Sequence, residues 1–179
     1  MSIAMRTDPS AAGTAPRVVA AIQEILCEEA EAIVKMANAL PHQELSRAVT
    51  LILECTGHIV VTGLGKAGLI GQKIAATLAS TGTPSYFLHP SEALHGDLGC
   101  LRVHDVILAL SSSGETVETV RTTKYAREQG LEAIAMTGRL ESPLARSASC
   151  ILPIGGLAEA GTLRLAPSSS TTCMLALGD

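Results

Sequence analysis

The segment Ser111-Ser112-Ser113-Gly114-Glu115-Thr116 gathers hydroxyls around a glycine just ahead of a helical stretch. The side-chain oxygens of Ser111, Ser113 and Thr116, free backbone N–H groups and the positive end of a helix dipole make a cradle for a dianionic phosphate. An ordinary helix cap needs only one such side chain, and the glycine permits close backbone approach, so phosphate binding is the reading taken. A second hydroxyl run, Ser168-Ser169-Ser170-Thr171-Thr172, follows Pro167 and either adds donors or caps the last apolar stretch.

Gly63-Leu64-Gly65-Lys66-Ala67-Gly68 has the GxGxxG spacing of a dinucleotide-binding turn. That reading predicts an acidic residue at the tip of the following strand, which instead runs into His89-Pro90. A Walker-type phosphate loop is excluded because Ala67 follows Gly65-Lys66. Lys66 stands close enough to a strand end to meet an anion or a carbonyl oxygen, with a solvated surface lysine as the alternative. Two acids flank the serine cradle, Glu115 and Glu118, and spacing alone leaves catalytic and structural roles open for both. Glu159 lies in the glycine-bracketed stretch Gly155 to Gly161 and is a base only if the fold carries it to the crevice. His89, Glu92, His95 and Asp97 crowd one short segment that could ligate a metal, but the two histidines do not share a helical face. A sugar-contacting or bracing role is the reading taken there.

Such groups need a scaffold that gathers loops distant in sequence. The β-rich runs His58–Thr62, Pro84–Leu88, Asp105–Leu110, Leu131–Met136 and Cys150–Ile154 predict five strands. Helical stretches at Lys66–Ser80, Thr116–Gln129 and Pro143–Ala148 link them, an alternation that predicts a doubly wound α/β fold: a five-stranded parallel sheet in a three-layer α/β/α sandwich. Two further helices are expected ahead of it, Arg17–Leu40 with Val18, Ile22, Ile25, Ile33 and Met36 at helical spacing, and Pro41 to about Glu54. Residues 1–16, rich in Ser, Ala, Thr and Pro, are expected to be disordered. In such sheets ligands bind beyond the carboxyl ends of the strands, where the motifs above fall.

With 179 residues and 47% hydrophobic content, one aliphatic core is expected. One Phe, two Tyr and no Trp argue against base stacking, and a net charge of −4 without like-charge runs argues against nucleic-acid or polybasic membrane partners. Cys27, Cys55, Cys100, Cys150 and Cys173 lack CxxC spacing and are expected to be small buried apolar residues. No segment has signal-peptide or bilayer-spanning character, which gives the expectation of a soluble cytoplasmic protein.

Taken together, the glycine–lysine loop, Ala79 to Pro84, His89-Pro90 with Glu92, His95-Gly96-Asp97-Leu98-Gly99, the serine loop and Leu165 to Thr172 resemble the sugar isomerase (SIS) domain of D-arabinose 5-phosphate isomerases. The serine loop alone indicates only a SIS domain; the His95-Gly96-Asp97 segment and the Ala166-Pro167 hydroxyl run narrow the resemblance to that subfamily. The resemblance implies interconversion of D-ribulose 5-phosphate and D-arabinose 5-phosphate, which feeds bacterial lipopolysaccharide synthesis, with no organic cofactor. It further implies catalytic roles for Lys66, Glu118 and Glu159, substrate contacts from Gly65, His95, Ser111, Ser113, Thr116, Ser168 and Ser169, and an inhibitory metal held by His95. A homotetramer with sites near subunit boundaries is also implied. A non-catalytic sugar-phosphate-binding module is the alternative. Relatives continue through a Ser-His-Pro-Gly-Gly segment, many into paired CBS domains, whereas this sequence ends at Leu177-Gly178-Asp179, so a domain truncated at its C-terminus is expected. Ala67 also departs from the serine that relatives often carry there.

Overall fold

The computed structural model describes residues 11–156 and 158–179, with side chains from residue 15 onward. Two helices, α1 (Ala11–Ala39) and α2 (His42–Leu53), precede the alternating part. It runs β1 (Ile59–Gly63), α3 (Lys66–Ser80), β2 (Ser85–Phe87), α4 (Pro90–Leu94), β3 (Val106–Leu110), α5 (Val117–Glu128), β4 (Glu132–Thr137), α6 (Pro143–Ser147), β5 (Cys150–Pro153) and α7 (Ser169–Gly178). The five expected strands and their linking helices are all present. Helix α1 starts at Ala11 rather than Arg17 and contains Pro16, because Ala11, Ala12 and Ala15 favour helix ahead of the proline. Residues 1–10 of the expected disordered start lie outside the described residues. Helix α4 is an addition: five residues are too few to show a helical period, and Pro90 at its first position opens it.

All strand pairs are parallel, in the order β2-β1-β3-β4-β5. The central strands β1 and β3 are buried at every position, so β3 reads as an unbroken apolar run and β1 as one interrupted only by the buried Thr62, without alternation. One sheet face, with Ile59, Val61, Leu108, Leu110, Ile134 and Met136, packs under Ala32 and Met36 of α1, Ala48 of α2, Ile74 of α3 and Met174 of α7. The other face is smaller, with Val60, Ile107, Ala109, Ala133 and Ala135 under Ala93 of α4, Ala126 of α5 and Leu144 of α6. This is the three-layer sandwich. The chain winds in opposite directions from β1, so the sheet's switch point falls between β1 and β3, with the glycine–lysine loop after one and the serine loop after the other.

The cysteines depart from expectation. Cys150 and Cys173 are buried, but Cys27 and Cys100 are exposed and Cys55 is half-buried, because α1 and the 97–100 turn present them outside the core. Among the described residues no helix is long and apolar enough to cross a membrane.

Candidate functional site

A cleft of about 550 Å³ opens at the carboxyl ends of the strands. Leu64, Lys66 and Ala67 line it from the first loop, Ser111, Ser112, Ser113 and Thr116 from the third, and Glu159 from the loop after β5. Loops far apart in the sequence are thereby brought to one crevice, as the switch-point rule requires.

The serine loop is held by its own hydroxyls. The Ser111 and Thr116 hydroxyls lie 2.9 Å apart, Gly114 N–H donates to Ser111 Oγ at 3.1 Å, and Glu115 N–H donates to Ser113 Oγ at 3.2 Å. Gly114 has φ 65°, and a Cβ there would lie 2.1 Å from Ser142 Oγ, so the turn both needs left-handed backbone and leaves no room for a side chain. Thr116 flanks α5 without capping it through its side chain, which leaves the first-turn N–H groups open to an outside acceptor. Gly65, flanking α3 at φ 61°, likewise has no capping side chain and sets Lys66 as the first residue of that helix. Lys66 is exposed and makes no ion pair among the described residues.

Glu159 is anchored by the start of α7. Ser168 and Ser170 N–H groups donate to its Oε2 at 2.8 and 3.1 Å, Ser168 Oγ lies 3.4 Å from the same oxygen, and Ser170 Oγ donates to Oε1. Burial is the largest single influence on this carboxyl and acts to raise its pKa. The bonds from Ser170 and Ser168 together outweigh it, so the net position is below the usual carboxylate range. Glu159 is therefore ionised at neutral pH. The surrounding loop is tied to α1: Gly161 N–H donates to Glu28 Oε2 at 2.8 Å, and Thr172 Oγ1 donates to Glu29 Oε2 at 2.7 Å. These two acids went unnoticed in the sequence because their partners are remote.

Not every expected residue reaches the cleft. Ser168 spends its hydroxyl on Ala160 N–H, at 2.8 Å, and on Glu159. Ser169 is buried, 1% exposed, while Ser170 and Thr171 line the cleft, since each helical residue turns about 100° from the last. Glu118 is half-exposed in the first turn of α5 and His95 is exposed at the end of α4; neither lines the cleft of this chain. Among the described residues no three His, Cys, Asp or Glu side chains are grouped to hold a metal ion. Arg139 lines the cleft without having been singled out, although it follows the end of β4 and the strand-end rule pointed to it.

The family model described as the SIS domain matches residues 52–179. The chain belongs to the SIS-domain family. The chain is 39% identical over 164 residues to the arabinose 5-phosphate isomerase KpsF of Escherichia coli O6:H1 (strain CFT073), an alignment covering 92% of this chain and 50% of that protein. It is 53% identical over 133 residues to the arabinose 5-phosphate isomerase KdsD of Pseudomonas aeruginosa, covering 74% of this chain and 41% of that one. A solved E. coli CFT073 structure, in complex with arabinose 5-phosphate, superposes with a TM-score of 0.87 at 38% identity, covering 92% of this chain and 87% of that one. The chain thus spans about half the length of the curated relatives it matches.

Proposed function

We propose that this SIS domain is an aldose–ketose isomerase that interconverts D-ribulose 5-phosphate and D-arabinose 5-phosphate through a cis-enediol. The observation that carries the reading is the convergence of Lys66, the serine loop and ionised Glu159 on one cleft at the β1/β3 switch point. The likeness to KpsF, to KdsD and to the structure with bound arabinose 5-phosphate supports the choice of pentose.

The serine loop takes the phosphate through Ser111, Ser113, Thr116 and the open N–H groups of α5, which fixes one end of the sugar. Moving a hydrogen between C1 and C2 needs a base on the carbon side and positive charge beside the developing oxyanion. Glu159, held as a carboxylate by Ser168 and Ser170, takes the proton from one carbon and returns it to its neighbour. Lys66, on the opposite loop and without an ion-pair partner among the described residues, stabilises the enediolate oxygens. Glu118 is the other candidate base, reached if substrate or a neighbouring subunit extends the site beyond this cleft. His95, exposed and outside the cleft, contacts sugar or an inhibitory metal only across a subunit boundary, which fits a homotetramer. No organic cofactor enters this chemistry. The proposed setting is cytoplasmic, in the supply of precursor for lipopolysaccharide.

Conversion of D-arabinose 5-phosphate to ribulose 5-phosphate tests the reading. Lys66→Ala should lower kcat by about a hundredfold or more while leaving KM within a few-fold. Unchanged kcat in this variant would remove Lys66 from the mechanism. Phosphate binding without turnover in the wild-type chain would instead favour a sugar-phosphate-binding module.

A further inference from the structure

The mouth of the cleft carries an ion pair that neither the phosphate cradle nor the proton transfer uses. Arg139 Nη1 lies 2.8 Å from Glu115 Oε1, and the two side chains are 65% and 58% exposed. Glu115 belongs to the serine loop itself, and its N–H is already committed to Ser113 Oγ. A carboxylate at this position opposes a phosphate dianion arriving at the same loop. Lys66 and Arg139 are the basic residues among those lining the cleft.

The backbone around Arg139 is built against the serine loop. Gly138 N–H donates to Ser112 O at 3.0 Å, and Arg139 N–H donates to Thr137 Oγ1 at 3.3 Å. A Cβ on Gly138 would lie 2.8 Å from Gly155 O and 3.0 Å from Ser112 O, so the strand end can approach both loops only as glycine. Arg139 is therefore presented from a fixed backbone, while its exposed side chain is free to choose between acceptors. A solvent-exposed ion pair holds its partners weakly, and a guanidinium forks onto phosphate oxygens in two parallel bonds.

We propose that Arg139 is a charge-setting and specificity residue of the phosphate site: it neutralises Glu115 when the cradle is empty and turns to the phosphate when the cradle is filled. This rests on the serine loop being the phosphate site. Glu115 is then a competitor for Arg139, which keeps the empty cradle from retaining weaker anions. The site selects for a doubly charged group, because only a dianion outcompetes the carboxylate for the guanidinium.

Titration with inorganic phosphate at low ionic strength, followed through the amide resonances of Ser113, Gly114 and Thr116, tests this directly. Arg139→Ala should weaken binding by about tenfold, with Arg139→Lys between it and wild type. Glu115→Gln should tighten binding, and raising the salt concentration should shrink both differences. In the isomerase assay the Arg139→Ala change should appear in KM and spare kcat. Ser113→Ala serves as the control on the cradle. If Ser113→Ala weakens phosphate binding and Arg139→Ala does not, the role of Arg139 is wrong and the cradle stands. Weaker binding in Glu115→Gln would likewise overturn the competition. Absence of phosphate binding at the serine loop in wild type would sink both readings together, whereas an Arg139 effect without turnover would uphold this one and leave the isomerase in doubt.

Discussion

At the residue scale the most informative group is Glu159, whose environment differs sharply between folded and unfolded chain. In the fold, donors from Ser168 and Ser170 keep its pKa below the ordinary carboxylate value of about 4.3 that the unfolded chain has. A carboxyl depressed in the folded state contributes stability that is complete above the unfolded value and lost as pH falls through the folded one. Glu159→Gln should therefore cost roughly 1–2 kcal/mol at pH 7, because solvent at this partly exposed carboxylate screens part of the gain. The difference in Tm from wild type should close as the pH is lowered below about 4. A gap that persists undiminished to about pH 3 would mean that shape, not charge, anchors this loop. In the sequence, Glu159 is marked by its place after a strand and by the family resemblance. The run of Ser168 to Thr172 reads locally as phosphate donors or a helix cap, since nothing local reveals that Ser168 and Ser170 fold back onto a residue of the preceding loop. Ser111, Ser113 and Thr116 were legible because a hydroxyl loop and the helix behind it are contiguous in the chain. Arg139 is marked in the sequence only by following a strand end, and its ion-pair partner Glu115 lies on the neighbouring loop, where no local pattern reveals it.

At the element scale the glycines of the first loop show how the same motif can serve packing. Gly68 sits inside α3, where glycine is ordinarily a poor helix former and alanine would be favoured. Here a Cβ would lie 2.5 Å from Gly63 O and 3.2 Å from Gly63 C, backbone atoms of the strand beneath. The helix rests directly on β1, so the contact decides the sign. Gly68→Ala should destabilise by about 1–3 kcal/mol, measured by urea denaturation, with the slope unchanged. A stabilised variant would show that propensity wins and that α3 can lift off the strand. The GxGxxG spacing is thus no evidence for a dinucleotide: Gly63 and Gly68 are accounted for by close backbone contact between α3 and β1, and Gly65, with open space around it, by its positive φ of 61°. The interior strands are legible, since β3 is an unbroken apolar run and β1 and β4 are nearly so. Helix α4 is not, because one and a half turns show no period and its burial depends on Pro90 and Ala93 meeting the second core.

At the scale of the whole molecule, α1 is longer than the domain beneath it requires. Its 29 residues extend about 44 Å, at 1.5 Å per residue. The apolar stripe that buries Ala32 and Met36 continues toward the N-terminus through Ile25, Ile22 and Val18, yet Val18, Val19, Ile22 and Leu26 are each at least half exposed. Amphipathic patterning beyond the reach of a chain's own core implies a surface that another body covers. A second copy is the occupant we propose, since each copy offers the same stripe and a two-fold axis would bury both at once. The stripe also bears on chemistry: Glu28 and Glu29, on the same helix, hold the loop of Glu159 and the start of α7. Assembly through α1 would therefore stiffen the side of the cleft that carries Glu159. Ile22→Asp with Leu26→Asp should shift the sedimenting species from oligomer to monomer while leaving the circular dichroism of the domain unchanged. Turnover should fall together with the oligomer and recover at protein concentrations that restore it. An unchanged sedimentation coefficient in this double variant would assign the exposed stripe to some surface other than a second copy and uncouple α1 from assembly.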